Sequence, residues 1–239
     1  MATNERVSIG VPGLDEMLNG GVPRGHTVLL AGTAGTGKTI FCTHFIYTGA
    51  TKYKEPGVFL SFEESPESIK SNALNFGMDF GKLENNKMTK FLRYDPYNIE
   101  DMNTNLESII REINAQRVVI DSVSAMEFYV RENTNFRKLL MGMSNSIKKL
   151  GCTTILTSEI MAGTHGISRG GVEEFIADSA IVLYYNRIGS AFSRAVQVWK
   201  MRGTSHSEKL HPYKITDKGV VVFPEEEAFI DEKRSSYRH

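Results

Sequence analysis

Residues 32–39 read Gly-Thr-Ala-Gly-Thr-Gly-Lys-Thr, which matches the pattern GxxxxGK[ST] at every fixed position. The apolar run before the motif, residues 27–31, predicts a buried strand, and residues 38–47 predict a helix. A strand, a glycine-rich loop and a helix in this order form the setting in which the pattern binds phosphate groups. A glycine-rich turn that matches by chance is the alternative, and the two flanking elements argue against it.

Each residue type in this loop has a physical part in holding a polyphosphate. Gly35 and Gly37 let the backbone curl so that successive N–H groups point into one cradle, to which the helix dipole adds positive charge. Lys38 is expected to reach the β- and γ-phosphates, and the Thr39 hydroxyl is expected to ligate Mg²⁺. The residues expected to bind the nucleotide here are Thr33, Ala34, Gly35, Thr36, Gly37, Lys38, Thr39 and Ile40.

A second acidic position follows another buried strand. Residues 118–120 are Val-Val-Ile, and Asp121 and Ser122 come directly after them. An acid at the carboxyl end of such a strand faces the crevice where α/β proteins bind ligands, so Asp121 is the candidate to hold Mg²⁺ through water. Alone, the acid could equally cap a helix. Together with the phosphate loop, it predicts a metal site.

Two carboxylates, Glu63 and Glu64, close the predicted strand 58–62 at the same edge of the sheet. Hydrolysis needs a group that orients and deprotonates water, and a carboxylate can do this. Adjacent residues of a strand point to opposite sides, so only one of the two is expected to contact the attacking water, and position favours neither. Solvated charges at the edge of the sheet, or charges at the start of the next helix, are the alternative.

Strand-length and helix-length segments alternate along the first part of the chain. This alternation predicts an α/β fold, with a mostly parallel central sheet that is covered by helices on both faces. After residue 175, the segments 181–184, 195–199 and 219–223 predict strands joined by short loops, and thus an antiparallel extension at one edge. We expect one domain over residues 1–225 and a polar, loose tail over residues 226–239.

Composition excludes several classes of protein. The 239 residues are 41% hydrophobic and 23% charged, as in globular proteins. With 28 basic and 28 acidic residues the net charge is +0, which argues against a wholly basic nucleic-acid-binding protein but not against a local basic stripe. Cys42 and Cys152 are too few for a disulfide framework. Residues 1–10 lack the apolar core of a signal peptide, so we expect a soluble, cytoplasmic protein without a membrane partner.

Seven ordered motifs resemble the KaiC family of RecA-type ATPases, and within it the N-terminal ATPase half of the two-unit clock proteins. The similarity runs from residue 10 to residue 223 and is that of a single-domain, archaeal-type homologue. The motifs are Gly13-Leu14-Asp15 with Gly20-Gly21-Val22-Pro23, the phosphate loop, Phe62-Glu63-Glu64-Ser65, Val119-Ile120-Asp121-Ser122, Gly171-Val172-Glu173-Glu174-Phe175, the run from Lys200 to His206, and Ile215-Thr216-Asp217-Lys218-Gly219.

The resemblance implies a Mg²⁺-dependent ATPase that binds ATP and ADP and forms a ring, expected to be a hexamer. It assigns activation of water to Glu63, with Glu64 as its partner. It also places Lys200, Arg202 and His206 against the nucleotide of the neighbouring subunit, where cations stabilise the charge of the transition state. From spacing alone, Lys200 and Arg202 are the solvated face of an edge strand.

The sequence departs from the clock proteins in two respects. It holds one ATPase unit instead of two, and residues 163–178 lack the Ser/Thr pair that the C-terminal clock half phosphorylates, because Glu174 and Phe175 stand there. We therefore expect a slow regulatory ATPase that acts on a protein partner, without autophosphorylation of that kind. The alternatives are a nucleotide-binding switch with little turnover and a DNA-binding recombinase relative whose cations are His165, Arg169, Arg187 and Arg194.

Overall fold

The computed structural model describes residues 5–95, 99–127, 129–130, 132–161, 166–188 and 191–229. Within these residues, nine of the eleven strands form one sheet, and the other two pair with each other as a ribbon. The strands are β1 Arg6–Val7, β2 Val22–Pro23, β3 Thr27–Gly32, β4 Gly57–Ser61, β5 Thr89–Arg93, β6 Arg117–Asp121, β7 Thr153–Glu159, β8 Ser179–Ile188, β9 Ala191–Met201, β10 Leu210–Thr216 and β11 Gly219–Val222.

The strand order in the large sheet is β11-β10-β9-β8-β3-β7-β6-β4-β5. All neighbours from β8 to β5 pair in parallel, and β9, β10 and β11 continue the sheet in antiparallel fashion. The strand that leads into the phosphate loop, β3, therefore lies inside the sheet between β7 and β8. This places the loop among the carboxyl ends of several parallel strands, where α/β proteins bind ligands.

Helices cover both faces of the sheet. The helical segments are α1 Leu14–Met17, α2 Lys38–Thr48 with a π-helical continuation Gly49–Tyr53, α3 Pro66–Leu74, α4 Gly81–Asn85, α5 Ile99–Ile113, α6 Val123–Glu127, α7 Asn133–Lys149 and α8 Glu173–Ile176. Phe41 and Phe45 of α2 are buried against one face, and Phe136 and Leu140 of α7 are buried in a separate apolar cluster against the other. The predicted α/β class with a mostly parallel, doubly covered sheet is confirmed.

The C-terminal strands differ in detail from the sequence prediction. The sequence predicts an antiparallel extension that includes the segment 181–184, and β8 does pair in antiparallel with β9, but it also pairs in parallel with β3. A further strand, β10, was not predicted. Its sequence, Leu-His-Pro-Tyr-Lys-Ile-Thr, has a proline and mixed polarity, which obscure the strand pattern.

The start of the predicted loose tail is attached to the sheet. The Ala228 backbone N–H donates to Leu210 O at 2.8 Å, and His211 Nδ1 lies 2.8 Å from Glu226 O. Residues 226–228 therefore run along β10, and the prediction of a loose end was wrong for them. Residues 230–239 lie outside the described part of the chain.

In the described ranges, no helix combines the length and the apolar character that a bilayer crossing requires. Cys42 and Cys152 are buried free thiols, in agreement with the absence of a disulfide framework.

Candidate functional site

The phosphate loop connects β3 directly to α2, as the sequence predicts. Gly35 and Gly37 have φ angles of 80° and 87°, values that residues with a side chain rarely adopt. A Cβ atom at Gly37 would also come within 3.0 Å of Ile215 Cδ1 on β10. The two glycines thus allow the tight turn that brings the loop to the first turn of α2.

The side chain of Lys38 folds back onto its own loop. Its Nζ atom donates to Gly32 O at 2.9 Å and to Thr33 O at 3.2 Å. Burial lowers the pKa of Lys38, and the charges of Glu159 and Asp121 oppose that effect. These two backbone carbonyl oxygens accept the hydrogen bonds of the ammonium group and keep it at the loop.

Asp121 and Thr39 are hydrogen-bonded to each other. Thr39 Oγ1 donates to Asp121 Oδ2 at 2.9 Å, and Thr157 Oγ1 donates to Asp121 Oδ1 at 2.5 Å. Burial raises the pKa of Asp121, while the hydrogen bonds from Thr157 and Thr39 and the charge of Lys38 work against the rise. A partly buried carboxylate beside a hydroxyl is an oxygen donor set that suits Mg²⁺.

The donor set also limits how the metal could be held. No group of three or more His, Cys, Asp or Glu side chains in the described residues is arranged around a metal position. Mg²⁺ commonly takes one or two protein oxygens and completes its shell with phosphate oxygens and water. Thr39 and Asp121 fit that mode, in which the metal arrives with the nucleotide.

The two adjacent glutamates point to different partners. Ser122 Oγ donates to Glu63 Oε1 at 2.9 Å, whereas Glu64 Oε2 accepts from Ser68 Oγ at 3.1 Å and from Asn72 Nδ2 at 3.5 Å. Glu63 therefore faces the end of β6, and Glu64 turns toward α3. The two carboxylates thus have different surroundings in the structure, a difference that their positions along the chain do not predict.

These groups meet in one pocket at the carboxyl ends of the parallel strands. The lining residues are Gly37, Lys38, Thr39, Ser61, Glu63, Glu64, Asp121, Ser122 and Glu159. Sequence reasoning did not assign Ser61, Ser122 or Glu159 to the site. Glu159 ends β7, and the rule that carboxyl ends of parallel strands share one edge could have found it.

The three residues assigned to a neighbour's nucleotide lie outside this pocket. Lys200 Nζ donates to Glu174 O and, at 2.7 Å, to Ala177 O. Arg202 Nη2 donates to Phe175 O at 3.2 Å. Burial lowers the pKa of Lys200, and the charge of Arg202 acts in the same direction. Both cations are thus held at the end of α8.

The third of these residues, His206, is partly buried and has a local contact. Its Nδ1 atom lies 2.9 Å from Ser207 O. The geometry of this chain therefore does not bring His206 to the phosphate loop.

Of the four cations considered for DNA binding, the structure describes the side chains of Arg194 and Arg169, and these two have different partners. Arg194 donates from Nε and Nη2 to Gly35 O at 3.2 and 3.1 Å, so it contacts the phosphate loop, which sequence reasoning missed. Arg169 pairs with Glu127 at 3.5 Å and with Glu159 at 3.6 Å. His165 and the side chain of Arg187 lie outside the described part of the structure.

Comparison with known proteins agrees with this geometry. The family model described as "ATPase: KaiC" matches residues 7–227. A UPF0273 protein of Methanocaldococcus jannaschii is 38% identical over 92% of this chain and 97% of its own length. The circadian clock oscillator protein KaiC of Synechococcus elongatus is 34% identical over 90% of this chain, which spans only 43% of that protein.

A solved structure shows the same fold. The crystal structure of a KaiC-like protein from the hyperthermophilic archaeon Pyrococcus horikoshii has a TM-score of 0.85 and 39% identity, over 92% of this chain and 99% of that one. The residues matched by the family model include the phosphate loop and the strands that surround the pocket. The chain therefore belongs to the KaiC family of ATPases, with their RecA-type α/β fold.

Proposed function

We propose that this protein is a Mg²⁺-dependent enzyme that binds and hydrolyses ATP, and that its sites are completed between the subunits of a homo-oligomeric ring. The observation that carries the proposal is the convergence of Lys38, Asp121 and Glu63 on one pocket beside the phosphate loop. An ammonium group, a carboxylate with a neighbouring hydroxyl, and a second carboxylate are the groups that phosphoryl transfer to water requires.

Nucleotide binding would begin at the loop. The backbone N–H groups of residues 33–40 surround the phosphates, and Lys38 exchanges its carbonyl partners for β- and γ-phosphate oxygens. Thr39 and Asp121 would hold the metal, directly and through water respectively. Bound Mg²⁺ neutralises negative charge on the β- and γ-phosphates.

Activation of water falls to Glu63. Its Oε1 atom is fixed by Ser122, so its other oxygen remains to accept a proton from a water molecule aligned with the γ-phosphate. Glu64 is hydrogen-bonded to α3, and in this proposal it keeps the turn after β4 in place instead of touching the water.

Placement in the sheet supports a role in trans for Lys200 and Arg202. Lys200 pairs with Ala180, and Ala180 pairs with Leu29 of β3, three residues before Gly32. The rise along a strand is about 3.3 Å per residue, and neighbouring strands lie about 4.8 Å apart. The backbone of Lys200 is therefore roughly 10 Å from its own phosphate loop along the strand direction, toward the amino end of β3, and two strands away across the sheet. His206 follows Arg202 by four residues along the chain, and all three residues are proposed to reach the nucleotide of the next subunit.

Further aspects of the proposal rest on the family alone. The ring is proposed to be a hexamer, the turnover slow, the role regulatory through a protein partner, and the location cytoplasmic. ATP and ADP are the proposed ligands. Support comes from the KaiC family model and from the clock relative, whose name describes a circadian oscillator.

The deciding experiment measures ATPase rate per subunit with Mg²⁺ over a wide range of protein concentration, with sedimentation velocity at each point. A rate that rises with concentration and levels off where rings form supports a shared site. A constant rate in a population shown to be monomeric contradicts it. Nucleotide binding without turnover at any concentration would favour a binding switch instead, and salt-sensitive binding of single-stranded DNA would favour the recombinase-like alternative.

A further inference from the structure

The short helix α8 is hydrogen-bonded both to β7, through Ser158, and to Lys200 and Arg202, the two cations outside the pocket. We define the α8 bridge as residues 173–178, which comprise α8 and the two residues after it. The bridge has a fixed point at each end. One is a buried carboxylate at its first residue, and the other is a set of backbone carbonyls at its last turn.

The first fixed point is Glu173, whose side chain is fully buried at 0% exposure. Its Oε1 atom accepts from Ser158 Oγ at 3.0 Å and from the Gly170 N–H at 3.2 Å, and its Oε2 atom accepts from the Val172 N–H at 3.1 Å. Ser158 is the residue before Glu159, which lines the pocket. The Glu173 carboxylate thus holds the start of the α8 bridge against β7, the strand that ends at Glu159 in the pocket.

The second fixed point holds the cations. The carbonyls of Glu174 and Ala177 accept from Lys200, and the carbonyl of Phe175 accepts from Arg202. Asp178 adds an ion pair, with 3.7 Å between its Oδ1 atom and Arg202 Nη1. The last carbonyls of a helix have no partner within the helix and carry partial negative charge, so these cations are natural partners for them.

A helix of four residues has too few internal hydrogen bonds to keep its own position. The location of its carbonyls therefore depends on what holds its ends. At the first end this is chiefly the Glu173 carboxylate, whose three donors are all neutral groups. Loosening that end would let the carbonyls shift, and Lys200 and Arg202 with them.

We propose that Glu173 is a positioning residue for Lys200 and Arg202, which it controls through the α8 bridge without touching the nucleotide. The inference rests on the proposed function, because it gives those two cations a role at the site of the neighbouring subunit. Glu173 belongs to the subunit that supplies the cations. Its effect on hydrolysis is therefore exerted on the neighbour's ATP and not on its own.

The test uses Glu173→Gln, which keeps the size of the side chain but turns an NH₂ group toward at least one of the N–H or O–H donors. We expect turnover to fall roughly 10- to 100-fold, the scale of a misplacement of about 1 Å, with little change in affinity for a fluorescent ATP analogue. Glu112→Gln, on the exposed surface of α5, is the matched control. Turnover of Glu173→Gln equal to wild type would overturn the inference.

Mixed rings separate positioning in trans from damage to the variant's own pocket. Glu63→Gln subunits have intact cations but cannot activate water. Mixing them in equal amounts with Glu173→Gln subunits should restore about a quarter of wild-type turnover per subunit, since about one interface in four joins an intact pocket to intact cations. Arg202→Ala mixed with Glu63→Gln serves as the reference.

The Arg202→Ala mixture tests the shared site separately from the role of Glu173. Rescue of both variants supports the inference. Rescue of Arg202→Ala without rescue of Glu173→Gln overturns the role of Glu173 and leaves the shared site intact, whereas failure of both in proven mixed rings removes the shared site as well. Should Glu173→Gln not assemble, Ser158→Ala removes the hydroxyl donor to Glu173, together with the contacts of that hydroxyl with Ser124 Oγ and the Arg169 N–H. This variant is carried through the same mixtures, with the same outcomes.

Discussion

Ser122 Oγ donates a 2.9 Å hydrogen bond to Glu63 Oε1, and so links the end of β6 to the turn after β4. Asp121 is the residue before Ser122, and its carboxylate is bound to Thr39 and Thr157. The end of β6 therefore carries Asp121, the carboxylate proposed to hold the metal, and also orients Glu63, the proposed base, through Ser122. Glu64 has no such link, since its carboxylate is bound to Ser68 and Asn72.

This relationship predicts unequal effects of the two glutamates. Glu63→Gln should lower kcat by roughly 10²–10⁴-fold while ATP binding is kept, because a general base contributes about that much. Glu64→Gln should cost far less. Steady-state ATPase assays and binding titrations on both variants check this, and a larger loss in Glu64→Gln would move the base to that residue.

Lys38→Ala should abolish nucleotide binding at micromolar concentrations. The ammonium group makes charge-assisted hydrogen bonds to phosphate, and their loss should weaken affinity by about 100-fold or more. Calorimetric titration with ATP measures the change, and Lys82→Ala on the exposed side of α4 is the control. Binding of ATP to Lys38→Ala at near wild-type affinity would contradict the assignment of the loop.

Arg202→Ala should slow hydrolysis without preventing binding. A cation that stabilises transition-state charge from a neighbouring subunit contributes roughly 10³–10⁵-fold in rate. Arg137→Ala removes the same type of side chain from an exposed position on α7, outside the pocket, and should behave as wild type. Single-turnover rates and ATP affinity are the measurements. Wild-type hydrolysis by Arg202→Ala would leave the arginine as an exposed surface charge.

Acid should destabilise the fold through His44. Its Nε2 atom accepts from the Val220 N–H at 3.2 Å, and burial lowers the pKa of His44 below its usual value. The unfolded chain therefore binds the proton more readily. The stabilisation is complete above about pH 6.5 and is lost as the pH falls through the lower folded pKa.

Urea unfolding at pH 7.5 and pH 5.0 tests the expected direction of this pH dependence of stability. The free energy of unfolding should fall in wild type over this interval and fall less in His44→Gln. Burial also lowers the pKa of His26, so part of the decline should persist in the variant. Equal pH dependence in both proteins would show that His44 does not titrate on unfolding.

Arg117→Met should destabilise the protein by about 3 kcal/mol, the lower end of the range for a broken buried ion pair, because Arg24 remains as the other partner of the largely buried Glu55 carboxylate. The Arg117 side chain is 1% exposed, its Nη2 atom lies 2.6 Å from Glu55 Oε2, and it also donates to Ser8 O and Phe45 O. Chemical denaturation measures the loss. The double variant Arg117→Met with Glu55→Gln should recover part of the stability, and no recovery would mean that the charge of Glu55 is not the cause.

Local patterns were enough to predict the loop, Asp121 and the pair of glutamates. Each follows a segment that is apolar over most of its length, and the carboxyl ends of parallel strands meet at one edge. The choice between Glu63 and Glu64 could not be made in this way. It depends on Ser122 from another strand and on Ser68 from α3, contacts that only the folded chain defines.

The pairing of the C-terminal strands was harder to predict from the sequence for a similar reason. Whether β8 pairs in parallel or in antiparallel depends on β3, about 150 residues earlier, and no local pattern encodes that pairing. The sequence also could not place Lys200 and Arg202 relative to α8. Their spacing is that of an ordinary edge strand, and their carbonyl partners come from a separate segment.

The separation of Lys200 from its own phosphate loop has a consequence for the symmetry of the proposed ring. In a two-fold dimer the contact would be reciprocal, with the cations of each chain on the pocket of the other. In the proposed ring, the cations of one chain meet the pocket of the next through a head-to-tail contact, which must repeat until it closes. An assembly of this kind has a direction around its circumference, so each subunit has an upstream and a downstream neighbour that it affects differently.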